Sequence, residues 1–221
     1  MSQAQNPQKP KVIALIVAAG SGSRMGKDLP KQYLPLGGQT VLRHCLETFR
    51  RHPRISGVRV VINDALRDLY DNAVAGLELM PPVAGGQKRQ DSVRAGLESL
   101  AGEAPDLVLI HDAARPFIDG ATIDRTIDTL AVHDGALVAV PVVDTLKRGA
   151  QDGTDTFSGA TVDRSGLWRA QTPQGFRFQP LLAAHRQAAS GPEMTDDAAV
   201  AEAAGMKVAL VLGHENNFKI T

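Results

Sequence analysis

LIVAAGSGSRMGKDLPKQYLPLGG, residues 15–38, begins as an apolar run and breaks into a loop with five glycines and two prolines. An apolar run that stops at glycines is the pattern of a strand buried on both faces, handing over to a ligand loop at its carboxyl end. Glycines admit close backbone approach, and a nest of N–H groups holds anions. Arg24 and Lys31 add two cations near the same strand end. Together they suit a nucleoside triphosphate attacked at its α-phosphate; the competing reading is a glycine turn with two solvated cations. The familiar phosphate loops do not fit. A dinucleotide fingerprint laid on Gly20 and Gly22 needs glycine at position 25, which is Met25. A P-loop needs four residues between its glycines and then Lys-Ser or Lys-Thr. Gly20 to Gly26 encloses five, and Lys27 precedes Asp28.

Outward from this strand, apolar runs at 11–19, 57–63, 106–114, 135–143 and 206–213 read as strands, most of them continuously apolar. Between them, 40–51, 64–75, 90–101, 120–133, 177–190 and 195–204 read as helices. The alternation predicts an α/β layered domain with a mainly parallel sheet, whose ligands gather at the carboxyl ends of the strands. In VLRHCLETF, Leu42, Cys45, Leu46 and Phe49 share one helical face, so Cys45 reads as a core thiol. One stretch departs from the alternation. Asp144 to Phe176 is polar, dotted with glycines and short β-prone pieces, and reads as an extended hairpin or arm. A lone two-stranded ribbon is marginal in water, so it should lean on something, such as another copy of the chain.

The 24 Lys and Arg balance 24 Asp and Glu, which leaves no global field to recruit nucleic acid or an anionic membrane. Nine aromatics are few for stacking on single-stranded bases. A single cysteine excludes an intrachain disulfide and paired-cysteine zinc sites. The first ten residues are polar and lack a signal peptide's apolar stretch, and no apolar run reaches the ~20 residues of a membrane helix. The expectation is a cytoplasmic protein: a polar tail over 1–10, then one domain over 11–221 with an arm at 144–176.

AAGSGSRMGKDLPKQYLPLGGQTVL (18–42) resembles the opening motif of the sugar nucleotidyltransferases, specifically the 2-C-methyl-D-erythritol 4-phosphate cytidylyltransferases. GGQKRQDSV (85–93), HDAARPF (111–117), PVVDTLKR (141–148), TVDRSGLWRAQTPQGF (161–176), TDDAAVAE (195–202) and NFKIT (217–221) are similar to that family's later blocks, in order. The resemblance implies a three-layer α-β-α Rossmann-like nucleotidyltransferase fold with an extended β-arm. It implies a reaction joining CTP to methylerythritol phosphate with release of pyrophosphate. The alternatives are a ribitol 5-phosphate or other sugar-phosphate nucleotidyltransferase, and a noncatalytic nucleotide-sensing domain.

By the same resemblance, Arg24 and Lys31 stabilise the transition state, and Arg164 and Lys219 position the acceptor. Ala18, Ala19 and Gly20 cradle CTP; Gly85, Gly86 and Ser92 read its base and ribose. Ser92 would hydrogen-bond the cytosine carbonyl or else serve as a polar residue at a helix start. Asp112 either contacts the acceptor's hydroxyls or lies near Mg²⁺, and Arg115 either reaches a phosphate or pairs with Asp112. Thr145, Thr172 and Thr195 match substrate contacts. Mg²⁺ is implied, held mainly by phosphate oxygens. A homodimer is implied, built through the arm, with Arg164 serving the partner's site. Members usually continue past the KIT segment with a further helix, and some carry a cyclodiphosphate synthase after it.

Overall fold

The computed structural model describes residues 9–20 and 29–221. The first strand, β1 (Val12–Ala18), is followed by β2 (Pro35–Leu36), β3 (Gln39–Thr40), α1 (Val41–Arg51), β4 (Gly57–Ile62) and α2 (Arg67–Val74). Then come β5 (Val83–Ala84), α3 (Arg89–Ser99), β6 (Leu107–Asp112), α4 (Gly120–Thr129) and β7 (Gly135–Pro141). The hairpin β8 (Leu146–Asp152) and β9 (Asp155–Val162) precedes β10 (Trp168–Arg177), α5 (Phe178–Ala188), α6 (Asp197–Ala203) and β11 (Val208–Leu212).

Seven strands form the central sheet in the order β11-β7-β10-β6-β1-β4-β5. All neighbours are parallel except those of β10, which runs antiparallel between β6 and β7. The continuous apolar run of β1 is explained by its place in the middle. Val12, Ala14, Ile16 and Ala18 enter one core with Leu42, Leu46 and Phe49 of α1 and Ile123 and Ile127 of α4. Ile13 and Leu15 enter the other core, with Val93 and Leu97 of α3 and Leu181 and Leu182 of α5. Each fully buried Leu, Ile or Phe stabilises by about 1.5–3 kcal/mol, so both faces of β1 must stay apolar. The three layers of the expected fold are therefore present. Gly96 lets α3 lie close on the sheet: a Cβ there would sit 2.7 Å from Leu15 and 2.8 Å from Val61. Cys45 has no exposed surface and belongs to the first core, as its helical spacing predicts.

Helix starts follow side-chain capping. Thr40 accepts from the Arg43 N–H, Asp119 from Thr122 and Asp196 from Ala199. The double glycine of the opening stretch closes the β2–β3 hairpin, with φ of 56° at Gly37 and 87° at Gly38, a two-residue turn that glycine accommodates without strain.

Two findings correct the sequence reading. The arm is shorter than 144–176, because residues 168–176 are β10, a central strand rather than a projection. The projecting part is β8–β9, a separate two-stranded sheet whose tip, residues 149–158, is wholly exposed. At the sheet's edge beside β7, β11 buries Val211 but exposes about half of Leu210 and Leu212.

Candidate active site

The carboxyl ends of β1, β4, β5, β6, β7 and β11 share one edge of the sheet, and β10 begins there. The expected site residues sort themselves by this edge. Ala18 ends β1 and Ala19 and Gly20 follow it directly, while Gly85 and Gly86 follow β5. The two loops touch: a Cβ on Gly85 would lie 2.5 Å from the Ala19 Cβ and 2.7 Å from the Ser92 hydroxyl. Glycine is required at 85 by close approach. Gln32, which the sequence reading passed over, straps the first loop by donating to the Ala18 carbonyl at 2.7 Å and the Gly20 carbonyl at 2.9 Å. Lys31 precedes it in the short 3₁₀ turn Lys31–Tyr33. Arg24 lies outside the described residues.

Ser92 is nearly fully buried in the first turn of α3. Its hydroxyl accepts from the Gly86 N–H at 3.1 Å and donates to the Lys88 carbonyl at 3.0 Å. Ser92, expected either to hydrogen-bond the cytosine carbonyl or to serve as a polar residue at a helix start, shapes the Gly85–Gly86 loop.

Asp112 ends β6 beside β1, with Val17 as its register partner. Its Oδ1 accepts from Arg89 Nε at 3.2 Å and its Oδ2 from Lys219 Nζ at 2.8 Å. Burial pushes this carboxyl up, but the Arg89 and Lys219 charges outweigh it and hold Asp112 well below the usual carboxylate range. Arg115 does not pair with Asp112. It donates to the Asn217 carbonyl at 2.7 Å and to the Ala170 carbonyl at 3.4 Å, bracing the segment that carries Lys219. Asn217, fully buried, fastens the same segment by donating to the Thr172 carbonyl at 2.8 Å. Ile220 N–H donates to the Ala114 carbonyl at 2.9 Å. Arg115, expected either to reach a phosphate or to pair with Asp112, braces the segment that carries Lys219.

Thr172 is buried, at a register irregularity of β10, and its hydroxyl lies 3.1 Å from the Asp112 N–H and 3.0 Å from His111 Nδ1. His111 Nε2 lies 3.0 Å from the Arg115 carbonyl, which can only accept, so Nε2 carries the proton and Nδ1 accepts from Thr172. Burial lowers His111 to about 4, against a weaker upward pull from the Arg115 carbonyl and Asp112. Thr172, expected as a substrate contact, thus ties the backbone of Asp112 to His111. A bulge that re-aims one side chain next to an active site is a recurrent device of sheets.

Thr195 is exposed just before α6, and Thr145 is exposed at the root of the arm. Arg164 is exposed too and donates to the Val143 carbonyl of its own chain. The structure brings together the β1 loop, the Gly-Gly loop, Asp112 and Lys219; it leaves Thr145 and Arg164 on the arm's root. Among the described residues no three His, Cys, Asp or Glu side chains converge as a metal set.

The IspD family, described as 2-C-methyl-D-erythritol 4-phosphate cytidylyltransferase, matches residues 12–221. A bifunctional enzyme IspD/IspF of Rhodospirillum rubrum is 61% identical over 212 residues, covering 96% of this chain and 54% of that protein. The chain spans about half the length of the curated relatives it matches. Among solved structures, the 4-diphosphocytidyl-2C-methyl-D-erythritol synthase of Anaerococcus prevotii has a TM-score of 0.81 at 28% identity, covering 96% of this chain and 93% of that one. The 2-C-methyl-D-erythritol 4-phosphate cytidylyltransferase of Thermus thermophilus has a TM-score of 0.72 at 33% identity, covering 94% and 91%. With the parallel sheet edge, the two touching loops and the family match over almost its whole length, this chain belongs to the 2-C-methyl-D-erythritol 4-phosphate cytidylyltransferase family.

Proposed function

We propose that this chain transfers the cytidylyl group of CTP to 2-C-methyl-D-erythritol 4-phosphate, giving 4-diphosphocytidyl-2-C-methyl-D-erythritol and pyrophosphate. The observation that carries this reading is the meeting, on one sheet edge, of the Ala19–Gly85 loop contact with the Asp112–Lys219 pair. One feature offers backbone to a nucleotide; the other offers a fixed cation to a second anion.

An oxygen of the acceptor's phosphate attacks the α-phosphorus of CTP. The new O–P bond forms as the bond from that phosphorus to the α–β bridging oxygen breaks, and its electron pair leaves with pyrophosphate. A phosphate monoester has a second pKa near ~6, so the nucleophile is already largely ionised and no general base is required. Asp112 suits that scheme: ionised between two cations, it aims Lys219 and takes no proton. Catalysis then rests on positioning and on charge placed where it develops. Lys31 and Arg24 are assigned to the α-phosphate region. Lys219 orients the acceptor phosphate, with Thr145 and Thr195 as further contacts and Arg164 supplied by a second copy. Ser92 acts through the loop around the cytosine.

Mg²⁺ is the expected counter-ion of the triphosphate. Both Asp112 oxygens already accept from Arg89 and Lys219, so the residues present do not form a cage, and the ion is assigned to phosphate oxygens. A homodimer through the arm is supported by the apolar surface there, with Phe157, Val143, Leu167 and Trp168 each at least 40% exposed. The two substrates are water-soluble phosphates, which fits a cytoplasmic location; among the described residues no helix is long and apolar enough to cross a membrane.

Pyrophosphate release tests the reading. It should require CTP, methylerythritol phosphate and Mg²⁺ together and stop on chelation. Equal turnover with ribitol 5-phosphate would reassign the acceptor, and equal turnover with ATP or UTP would remove the cytosine assignment.

A further inference from the structure

We propose that Arg89 is a positioning residue of this reaction: clamped between Asp112 and the buried Asp197–His185 pair, it fixes the carboxylate that aims Lys219. The proposal rests on the cytidylyl-transfer reading for its consequence in turnover, but its geometry stands independently. Arg89 is the first residue of α3, just after the Gly85–Gly86 loop. Its Nε donates to Asp112 Oδ1 at 3.2 Å and its Nη2 to Asp197 Oδ2 at 2.9 Å. Asp197, 1% exposed, opens α6, and its Oδ1 lies 3.3 Å from Nε2 of the fully buried His185 of α5. Lys219 completes the row on the other side of Asp112.

One side chain thus ties three parts of the site: the loop before α3, the end of β6, and the start of α6, two residues after Thr195. A bolt needed only for packing would be satisfied by Asp197. The second bond reaches a carboxylate that remains 13% exposed at the sheet edge and holds the Lys219 ammonium. A planar guanidinium can bond two carboxylates at fixed angles, which a single ammonium does not reproduce. Arg89 is held well above its ordinary range: burial pulls it down, but the charges of Asp197 and Asp112 outweigh that.

The groups facing Asp112 among the described residues are Arg89 of α3, Lys219 of the C-terminal segment, and His111 and Arg115 of its own strand and turn. The Thr172 hydroxyl of β10 and the buried Cys45 thiol of α1 complete its surroundings. Those facing Asp197 are Arg89 and His185, with Asp196 turned to Gln174 and Ala199. Without Arg89, Asp112 keeps Lys219 as its paired cation in a desolvated place. Its protonation must then rise toward the working range, and Lys219 loses its fixed partner as it does so.

The single variant R89Q strands Asp197 and so risks the fold; R89Q/D197N removes that second buried charge and keeps Asp112 as the sole reporter. In protein labelled with ¹³Cγ-aspartate, the Asp112 resonance is identified by its loss in D112N. In the wild type it should not titrate above about pH 4, whereas in R89Q/D197N it should titrate at least about one pH unit higher than in D197N alone. In parallel, the acid limb of kcat for pyrophosphate release should move up by a similar amount and turnover at pH 7 should fall about tenfold, with the KM for CTP little changed. An Asp112 titration identical in D197N and R89Q/D197N overturns the proposal whether or not the protein turns over substrate. A shifted resonance with an unmoved acid limb and full turnover overturns the positioning role. A wild type with no pyrophosphate release, yet with the expected resonance shift, indicts the cytidylyl-transfer reading and leaves the clamp itself supported.

Discussion

Gly85 and His111 carry the sharpest consequences at the scale of single residues. A methyl group at position 85 would meet the Ala19 Cβ at 2.5 Å and Ser92 Oγ at 2.7 Å, both on packed elements. The cheapest relief is to part the two loops, which are the proposed walls of the CTP site. Gly85→Ala should therefore raise the KM for CTP about tenfold or more, roughly 1.4 kcal/mol of binding, measurable by steady-state kinetics or calorimetry. An unchanged KM would mean that the loops do not grip the nucleotide. His111 gives a pH-dependent prediction. Its ordinary pKa of 6.5 falls to about 4 in the fold, so the unfolded chain takes up a proton first as pH drops. The stabilising contribution is whole above pH 6.5 and drains away as pH falls through about 4, on the order of 3 kcal/mol at most. His111→Gln keeps a donor and an acceptor but cannot charge. Its denaturant midpoint should vary less between pH 7 and pH 4.5 than that of the wild type; parallel curves would deny His111 this role. These two cases also mark how much of the site was legible. The Gly-Gly pair and Asp112 stand in blocks that the family resemblance marks, each at the carboxyl end of a strand. Arg89, Gln32 and Asn217 act through contacts with distant segments, such as Asp197 across 108 positions, which no local pattern reveals.

The strands and helices that the pattern exposed are those whose burial is apolar. β1, β4, β6 and β7 bury Val, Ile, Leu and Ala, and each amphipathic helix turns its apolar stripe to one of the two cores. β10 escaped for a physical reason. Gln171, Thr172 and Gln174 are buried in the middle of the sheet, and their polarity is answered there. Gln174 donates to Asp196 and accepts from the Ala198 N–H, while Gln171 donates to the His214 carbonyl. A hydropathy pattern reads such a strand as solvent-facing. The true arm, β8–β9, is exposed throughout its tip, and the proposed dimer would give it another surface to meet. Excising residues 149–158 and closing the hairpin with Asn-Gly should leave the far-UV circular dichroism of the domain in place. The same deletion should lower the mass in sedimentation from dimer to monomer and reduce turnover at least about tenfold. A shortened chain that still sediments as a dimer would move the interface elsewhere.

At the scale of the whole molecule, the arm leaves the sheet from the same edge that holds Asp112, between the end of β7 and the start of β10. Gln32 fastens the turn that carries Lys31 to the β1 loop of the same chain, so the proposed role of Lys31 belongs to its own chain's site. Arg164 sits at the arm's root and donates to the same root's Val143 carbonyl, beside the exposed Val143, Leu167 and Trp168. In the proposed two-fold dimer with crossing arms, each Arg164 would enter the opposite site, and the exchange would be reciprocal. Chains bearing Lys31→Ala and chains bearing Arg164→Ala should each be nearly inactive alone. Unfolded, mixed in equal amounts and refolded together, half the dimers carry one chain of each kind. In such a dimer one site receives both defects and the other receives neither. About a quarter of the wild-type sites should then return, measured as pyrophosphate release per protomer. If Arg164 serves its own chain instead, every site in the mixture keeps one defect and no activity returns.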